Sequence, residues 1–210
     1  MVHQGRPWDL MAWSFTWSPG IYTTKTAVQL QREAATVISL GGGFQAYFPQ
    51  NRDGSVRQWE WDLNLMGQVA EFCRARQEIC HKAEPVPQVA LIYSTDAFYR
   101  DARKVFSAWH GEHDPLKGAL QNLLDHRHSV EIVSEHHLQG RMSEYPLIVF
   151  PEWEYIDPAF KEELTAYVRN GGSLLIIGPK AAKLFERELG VTLDAGPESR
   201  INGLVHRGVM

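Results

Sequence analysis

The sequence predicts an α/β protein in two parts. Short apolar runs alternate with stretches whose apolar residues fall three or four apart, and glycine pairs and triplets stop those stretches. Two prolines in Ala83-Glu84-Pro85-Val86-Pro87 then divide the chain into differently patterned halves, placing the domains at 1–84 and 85–210.

In the first half, Asp9 to Phe15 has bulky residues at successive positions, the pattern of a strand buried on two sides. Thr16 to Thr24, with Pro19-Gly20, reads as a loop. A helix is expected from about Lys25 to Leu40, because Ala27, Leu30, Ala34, Val37 and Ile38 share one face. Gly41-Gly42-Gly43 ends it, since glycine reaches the left-handed cap conformation without a Cβ clash. Phe44 to Phe48 is the next strand, Asn51-Arg52-Asp53-Gly54 lies in a loop, and Asp62 is placed to cap a helix running to about Cys80.

The second half opens with Val89 to Tyr93, a continuous apolar strand. A long loop leads to a helix at about Leu116 to Arg127, and Val130 to Val133 and Leu147 to Phe150 are further strands. Asp157-Pro158 begins a helix, proline being harmless in a first turn that has no intrahelical acceptor for its N–H. Gly171-Gly172 ends that helix, Ser173 to Ile177 is a fourth strand, and Lys180 to Leu189 a last helix. Short apolar strands alternating with amphipathic helices imply a parallel sheet with helices on both faces, a flavodoxin-like or Rossmann-like sandwich.

Composition narrows the function. The chain has 210 residues, 44% hydrophobic and 22% charged, which is ordinary globular usage. Its net charge of -4 provides no basic field for a phosphate backbone, so nucleic acid is not an expected partner. No apolar run approaches the roughly 20 residues that span a bilayer, so no membrane partner is expected either. Met1 to Arg6 contains no apolar core of a secretory signal, and the compartment stays open, cytoplasmic by default. Cys73 and Cys80 fall on what reads as one helix, too far apart along it for a disulfide, and are expected as reduced thiols.

Two strand–helix units cannot cover both faces of a parallel pair. A complete (β/α)₈ barrel takes roughly 250 residues, about 31 per unit. Residues 1–84 therefore read as the C-terminal portion of such a barrel, and residues 85–210 as a second domain, incomplete at its C-terminus.

Specific residues reinforce that division. Pro146-Leu147-Ile148-Val149-Phe150-Pro151, Tyr155-Ile156-Asp157 and the run from Glu163 through Tyr167-Val168-Arg169-Asn170-Gly171-Gly172 to Ile177 resemble the glutamine-amidotransferase-like domain that follows the barrel in trimeric β-galactosidases and related α-L-fucosidase-type glycoside hydrolases. Pro7 to Phe15 and Gly41 to Phe48 look like the last barrel strands of the same clan. The resemblance implies a homo-oligomeric enzyme acting on a galactoside or fucoside. The second domain would serve assembly.

An active amidotransferase needs a nucleophilic cysteine on a strand-to-helix turn. Here that turn reads Gly178-Pro179-Lys180, so the domain is expected to be catalytically silent. Glycoside hydrolysis generally uses two carboxylates at the C-terminal ends of barrel strands. Asp9 lies at the wrong end of its strand, Asp53 is first a turn residue and Asp62 first a helix cap, so no catalytic residue is assigned and the chain alone is expected to be inactive. Trp13, Trp17, Gln45, Tyr47 and Glu60 are the expected substrate contacts. Aromatic faces stack on the C–H face of a sugar, and amide, phenol and carboxylate groups bond its hydroxyls.

His110-Gly111-Glu112-His113-Asp114 lacks the spacing of a helical zinc motif, and neither metal nor cofactor is expected. A competing expectation is a self-standing flavodoxin-like module with a small-molecule ligand near Ser94, Thr95 and Pro151.

Overall fold

A computed structural model describes residues 7–18, 21–56, 59–84, 86, 88–101 and 113–193. The chain divides into two compact units between Val86 and Pro87.

In the first unit, β1 (Asp9–Trp13) pairs in parallel with β4 (Gly43–Tyr47), Asp9 opposite Gly43 and Trp13 opposite Tyr47. Between them lie β2 (Phe15–Ser18), β3 (Ile21–Thr24) and α1 (Ala27–Ile38). The segment expected as a loop is thus an antiparallel hairpin, with Phe15 opposite Thr24. Its alternating threonines and aromatics suit strands better than a loop.

Helix α1 begins with a capping box: Thr26 Oγ1 accepts from the Gln29 N–H at 3.3 Å, and the Thr26 N–H donates to Gln29 Oε1 at 2.8 Å. Beyond α1, Gly41 takes φ +77° against the Ala83 carbonyl, while a Cβ at Gly42 would collide with the Trp8 ring. The glycine run is therefore a close-packing surface as well as a helix stop.

Helix α2 (Trp59–Arg74) starts earlier than expected, which puts Asp62 inside its first turn rather than at its cap. It ends at Arg74, and α3 (Gln77–Cys80) follows after a break, so Cys73 and Cys80 do not share one helix. Both thiols are free. Leu30, Phe48, Leu65 and Val69 form the core, against which Ala12, Phe44 and Ala46 from one face of the strand pair are packed.

The second unit holds β5 (Val89–Tyr93), β6 (Val130–Ser134), β7 (Leu147–Phe150) and β8 (Ser173–Ile176) in one parallel sheet of order β6-β5-β7-β8. Central β5 is buried on both faces. One face packs Ala90, Ile92, Ile148 and Phe150 against Phe160 and Leu164 of α7 (Pro158–Arg169) and Phe185. The other packs Val89, Leu91 and Val149 against Leu116 and Ala119 of α5 (Asp114–Asp125). Helices thus lie on both faces of the parallel sheet, as the alternation predicts.

Short helices complete the unit. These are α4 (Thr95–Asp101), within the stretch expected as a loop, α6 (Glu135–Leu138), and α8 (Pro179–Leu184) with α9 (Glu186–Leu189), where one continuous helix was expected. Residues 194–210, which include the expected incomplete end, lie outside the described residues.

Candidate functional site

Alternation along β1 and β4 sends Ala12, Phe44 and Ala46 toward the helices and Met11, Trp13, Gln45 and Tyr47 to the opposite face. That second face is open. Met11 is 54% exposed, Trp13 49% and Tyr47 44%, and Leu10, on the helix side of the same strand, is 48% exposed. So much exposed apolar surface on a two-stranded parallel sheet is unusual, because such sheets occur with both faces covered.

Trp13 and Tyr47 stand side by side at the C-terminal ends of their strands. Phe15 joins them, its ring nearly parallel to Trp13 (18°) at a centroid distance of 5.4 Å and tilted to Tyr47 at 6.2 Å. Phe15 was not among the expected contacts. Its period-two spacing from Trp13 was visible in the sequence, but the hairpin that turns it back was not.

Gln45 lies one step further down the face, where its amide donates to the Asp9 carboxylate. Asp9 thus has a structural partner at the N-terminal end of β1. Glu60 is exposed in the first turn of α2, and no described contact brings it to Trp13 or Tyr47. The Trp17 side chain lies outside the described residues. Asp53 accepts from the Ser55 hydroxyl at 2.6 Å and its N–H at 3.0 Å, bonds that hold its carboxyl below the usual carboxylate range and mark it as a turn residue. The arrangement can bind a flat apolar surface edged with hydroxyls; no described pair of carboxylates is placed for acid–base chemistry across it.

The C-terminal end of the second sheet is where doubly wound folds hold ligands. Here the chain fills it with its own carboxylates. Buried Glu135 accepts from both the N–H and the hydroxyl of Thr95 at 3.0 Å, taking up donors at the start of α4. Ser94 Oγ accepts from the Ala97 N–H at 3.1 Å. Glu152, following β7, accepts from the Lys180 N–H at 3.4 Å and occupies the space where a Cβ at Gly178 would lie, and Glu154 pairs with Lys180.

Around these groups Trp153 donates to the Ile92 carbonyl at 2.9 Å and meets Tyr93 edge-on, while His113 packs on Tyr93 and Phe98. His110 and Glu112 lie outside the described residues. Among the described residues no three histidine, cysteine or acidic side chains converge as a metal site. The turn after β8 presents proline and lysine where an amidotransferase carries its thiol, as read above.

Comparison with known proteins agrees with this geometry. A family model described as the β-galactosidase trimerisation domain matches residues 87–183. The second unit carries a β-galactosidase trimerisation domain. Among solved structures, α-L-fucosidase isoenzyme 2 from Paenibacillus thiaminolyticus is similar at TM-score 0.59 and 21% identity, over 79% of this chain and 24% of that one. A GH42 β-galactosidase from G. stearothermophilus matches at TM-score 0.58 and 18% identity, over 77% and 25%. The β-galactosidase of the Antarctic haloarchaeon Halorubrum lacusprofundi matches at 0.55 and 16%, over 83% and 27%.

These matches cover more of the chain than residues 87–210 could supply, so they include part of the first unit's fold. The chain spans about a quarter of the length of these enzymes. A search of curated protein sequences gives no significant match.

Proposed function

We propose that this chain is a portion of a carbohydrate-active glycoside hydrolase of the β-galactosidase or α-L-fucosidase type. In this reading residues 1–84 supply the last two strands of a (β/α)₈ barrel. Their open face, with Trp13, Tyr47 and Gln45, forms one wall of the sugar cleft, and Trp17 and Glu60 are proposed from the sequence as further sugar contacts. Residues 85–210 form a catalytically silent domain that brings copies of the chain together.

The observation that carries the reading is the open face itself. In a closed barrel Met11, Gln45, Trp13 and Tyr47 would point inward, with the two aromatics in the layer nearest the C-terminal mouth, where barrel enzymes bind substrate. The trimerisation-domain match supports the assembly role, and the self-capped sheet end supports catalytic silence.

Chemically, the first unit would position a sugar rather than cleave it. The indole and phenol rings stack on its C–H face, and the carboxylates that protonate the leaving oxygen and attack or activate water would come from other strands of the ring. The chain by itself is thus expected to leave chromogenic β-galactosides and α-L-fucosides intact, and measured turnover would refute the division of labour. Reading the encoding DNA upstream of Met1 tests the barrel: six further strand–helix units are expected, and a stop codon or unrelated gene there would sink the proposal.

A further inference from the structure

We propose that Phe15, at the root of the β2–β3 hairpin, is the positioning residue of the sugar platform, fixing Trp13 so that a single indole face meets the substrate. This rests on the sugar-cleft reading above and goes beyond it by assigning a role to the hairpin.

The hairpin is clamped at its base. Ser14, only 1% exposed, donates its N–H to the Tyr47 carbonyl at 2.8 Å and accepts at its own carbonyl from the Lys25 N–H at 2.7 Å. The chain therefore leaves β1 and returns to it at one point. Lys25 is held in turn by Glu33 of α1 at 2.7 Å, with its side chain only 15% exposed. With its base tied down in this way, the described part of the hairpin forms a wall beside β1.

Phe15 is the first residue of that wall. Its ring covers one face of Trp13 and leans on Tyr47, yet Trp13 keeps about half of its surface open. An indole attached only through its own two side-chain torsions would sample several rotamers, and each sugar bound would have to select one. With Phe15 stacked behind it, the indole is ordered before the sugar arrives. Discrimination then follows geometry: a pyranose with a continuous apolar C–H patch lies flat on the free face, whereas one with an axial hydroxyl on that side is lifted off.

The test uses the 210-residue chain and observes the Trp13 indole N–H by nuclear magnetic resonance, assigned through its loss in Trp13→Phe. Methyl β-D-galactopyranoside, methyl α-L-fucopyranoside and methyl β-D-glucopyranoside are titrated into wild type, Phe15→Ala and Phe15→Tyr. The expected result is a Trp13 shift in the wild type that differs among the sugars. Affinity falls roughly three- to tenfold in Phe15→Ala, the worth of one aromatic pair, and is retained in Phe15→Tyr, which keeps the ring. In Phe15→Ala without sugar, the Trp13 resonance should already move toward the position of a solvent-exposed indole.

A sugar response that survives Phe15→Ala at full strength overturns the positioning role and leaves the sugar face standing. Absence of any Trp13 response in the wild type overturns both. Should Phe15→Ala fail to fold, Phe15→Leu, which fills the space without a stacking face, carries the same comparison.

Discussion

Gly171 and Gly172 sit side by side at the end of α7, yet the structure requires each for a different reason. Gly171 has φ +94° with open space where a Cβ would go, so alanine there carries only the left-handed backbone penalty, about 1–2 kcal/mol. Gly172 has no positive φ, but a Cβ on it would run into the Tyr167 ring. That ring is pinned: its hydroxyl donates to the Tyr145 carbonyl at 2.8 Å and accepts from the Ser173 N–H at 3.1 Å, tying the approach to β7 to the start of β8. Pushing it aside forfeits both bonds at roughly 1 kcal/mol each and leaves a carbonyl of buried Tyr145 unpaired, for a total of about 2–4 kcal/mol.

The two glycines therefore separate in a double-mutant cycle with Tyr167→Ala. Once the ring is gone, Gly172→Ala should cost less than about 0.5 kcal/mol, because the site is empty and alanine restricts the unfolded chain. The cost of Gly171→Ala should be the same in both backgrounds. Native-state hydrogen exchange at Leu91 and Val149, fully buried in the central strands, reads the opening of this unit alone. An unchanged cost for Gly172→Ala in the Tyr167→Ala background would refute the packing account of this turn.

Other perturbations follow from named contacts. Glu135→Ala should destabilise the second unit by about 1–3 kcal/mol, because the Thr95 N–H loses its acceptor, and Glu135→Gln should recover part of this; equal losses in the same exchange experiment would contradict the capping role. Burial and a 2.5 Å hydrogen bond to Glu131 push the Tyr145 phenol well above its ordinary range. The unfolded phenol ionises near pH 10 while the folded one stays protonated, so this contribution is whole below about pH 10 and is lost above it. Melting curves of Tyr145→Phe should fall less steeply with alkaline pH than those of the wild type. Thr26→Ala should cost about 1 kcal/mol through the capping box and quicken exchange in the first turn of α1; unchanged rates would contradict it.

What the sequence made legible divides by range. The strands Val89–Tyr93 and Leu147–Phe150 were readable because a strand buried on both faces is continuously apolar, and α7 because Asp157-Pro158 and Gly171-Gly172 mark its ends locally. The hairpin after β1 was missed because Pro19-Gly20 drew attention to the turn and away from the paired residues on either side. Asp62 was misjudged because it suits a cap, while α2 in fact begins at Trp59. Glu135 was out of reach in a different way. Its partner Thr95 lies on another strand–helix connection, and only the sheet order, with β6 beside β5, brings the two together. The same holds for Trp8 on Gly42, a contact that gives the glycine triplet a role its spacing did not suggest.

The two parallel sheets finish their C-terminal ends in opposite ways, and that contrast supports the proposed division of labour. In the second unit the backbone donors that could greet a ligand are met by Glu135 and Glu152, and Trp153 spends its N–H on the Ile92 carbonyl. A small anion would have to displace a buried carboxylate already holding two hydrogen bonds, a replacement that gains little. In the first unit the corresponding end displays Trp13 and Tyr47 half exposed, with Phe15 behind them. Surface of this kind is costly to leave in water, roughly 25 cal/mol for each Å² of apolar area, and is retained where something covers it. Neighbouring strands of a ring would cover Met11 and Leu10, and a sugar would cover the rings at the mouth. A chain in which Met11→Ser and Leu10→Ser both raise solubility without loss of stability would have the uncovered strand flank this reading requires; a marked loss of stability would mean that these side chains are already packed.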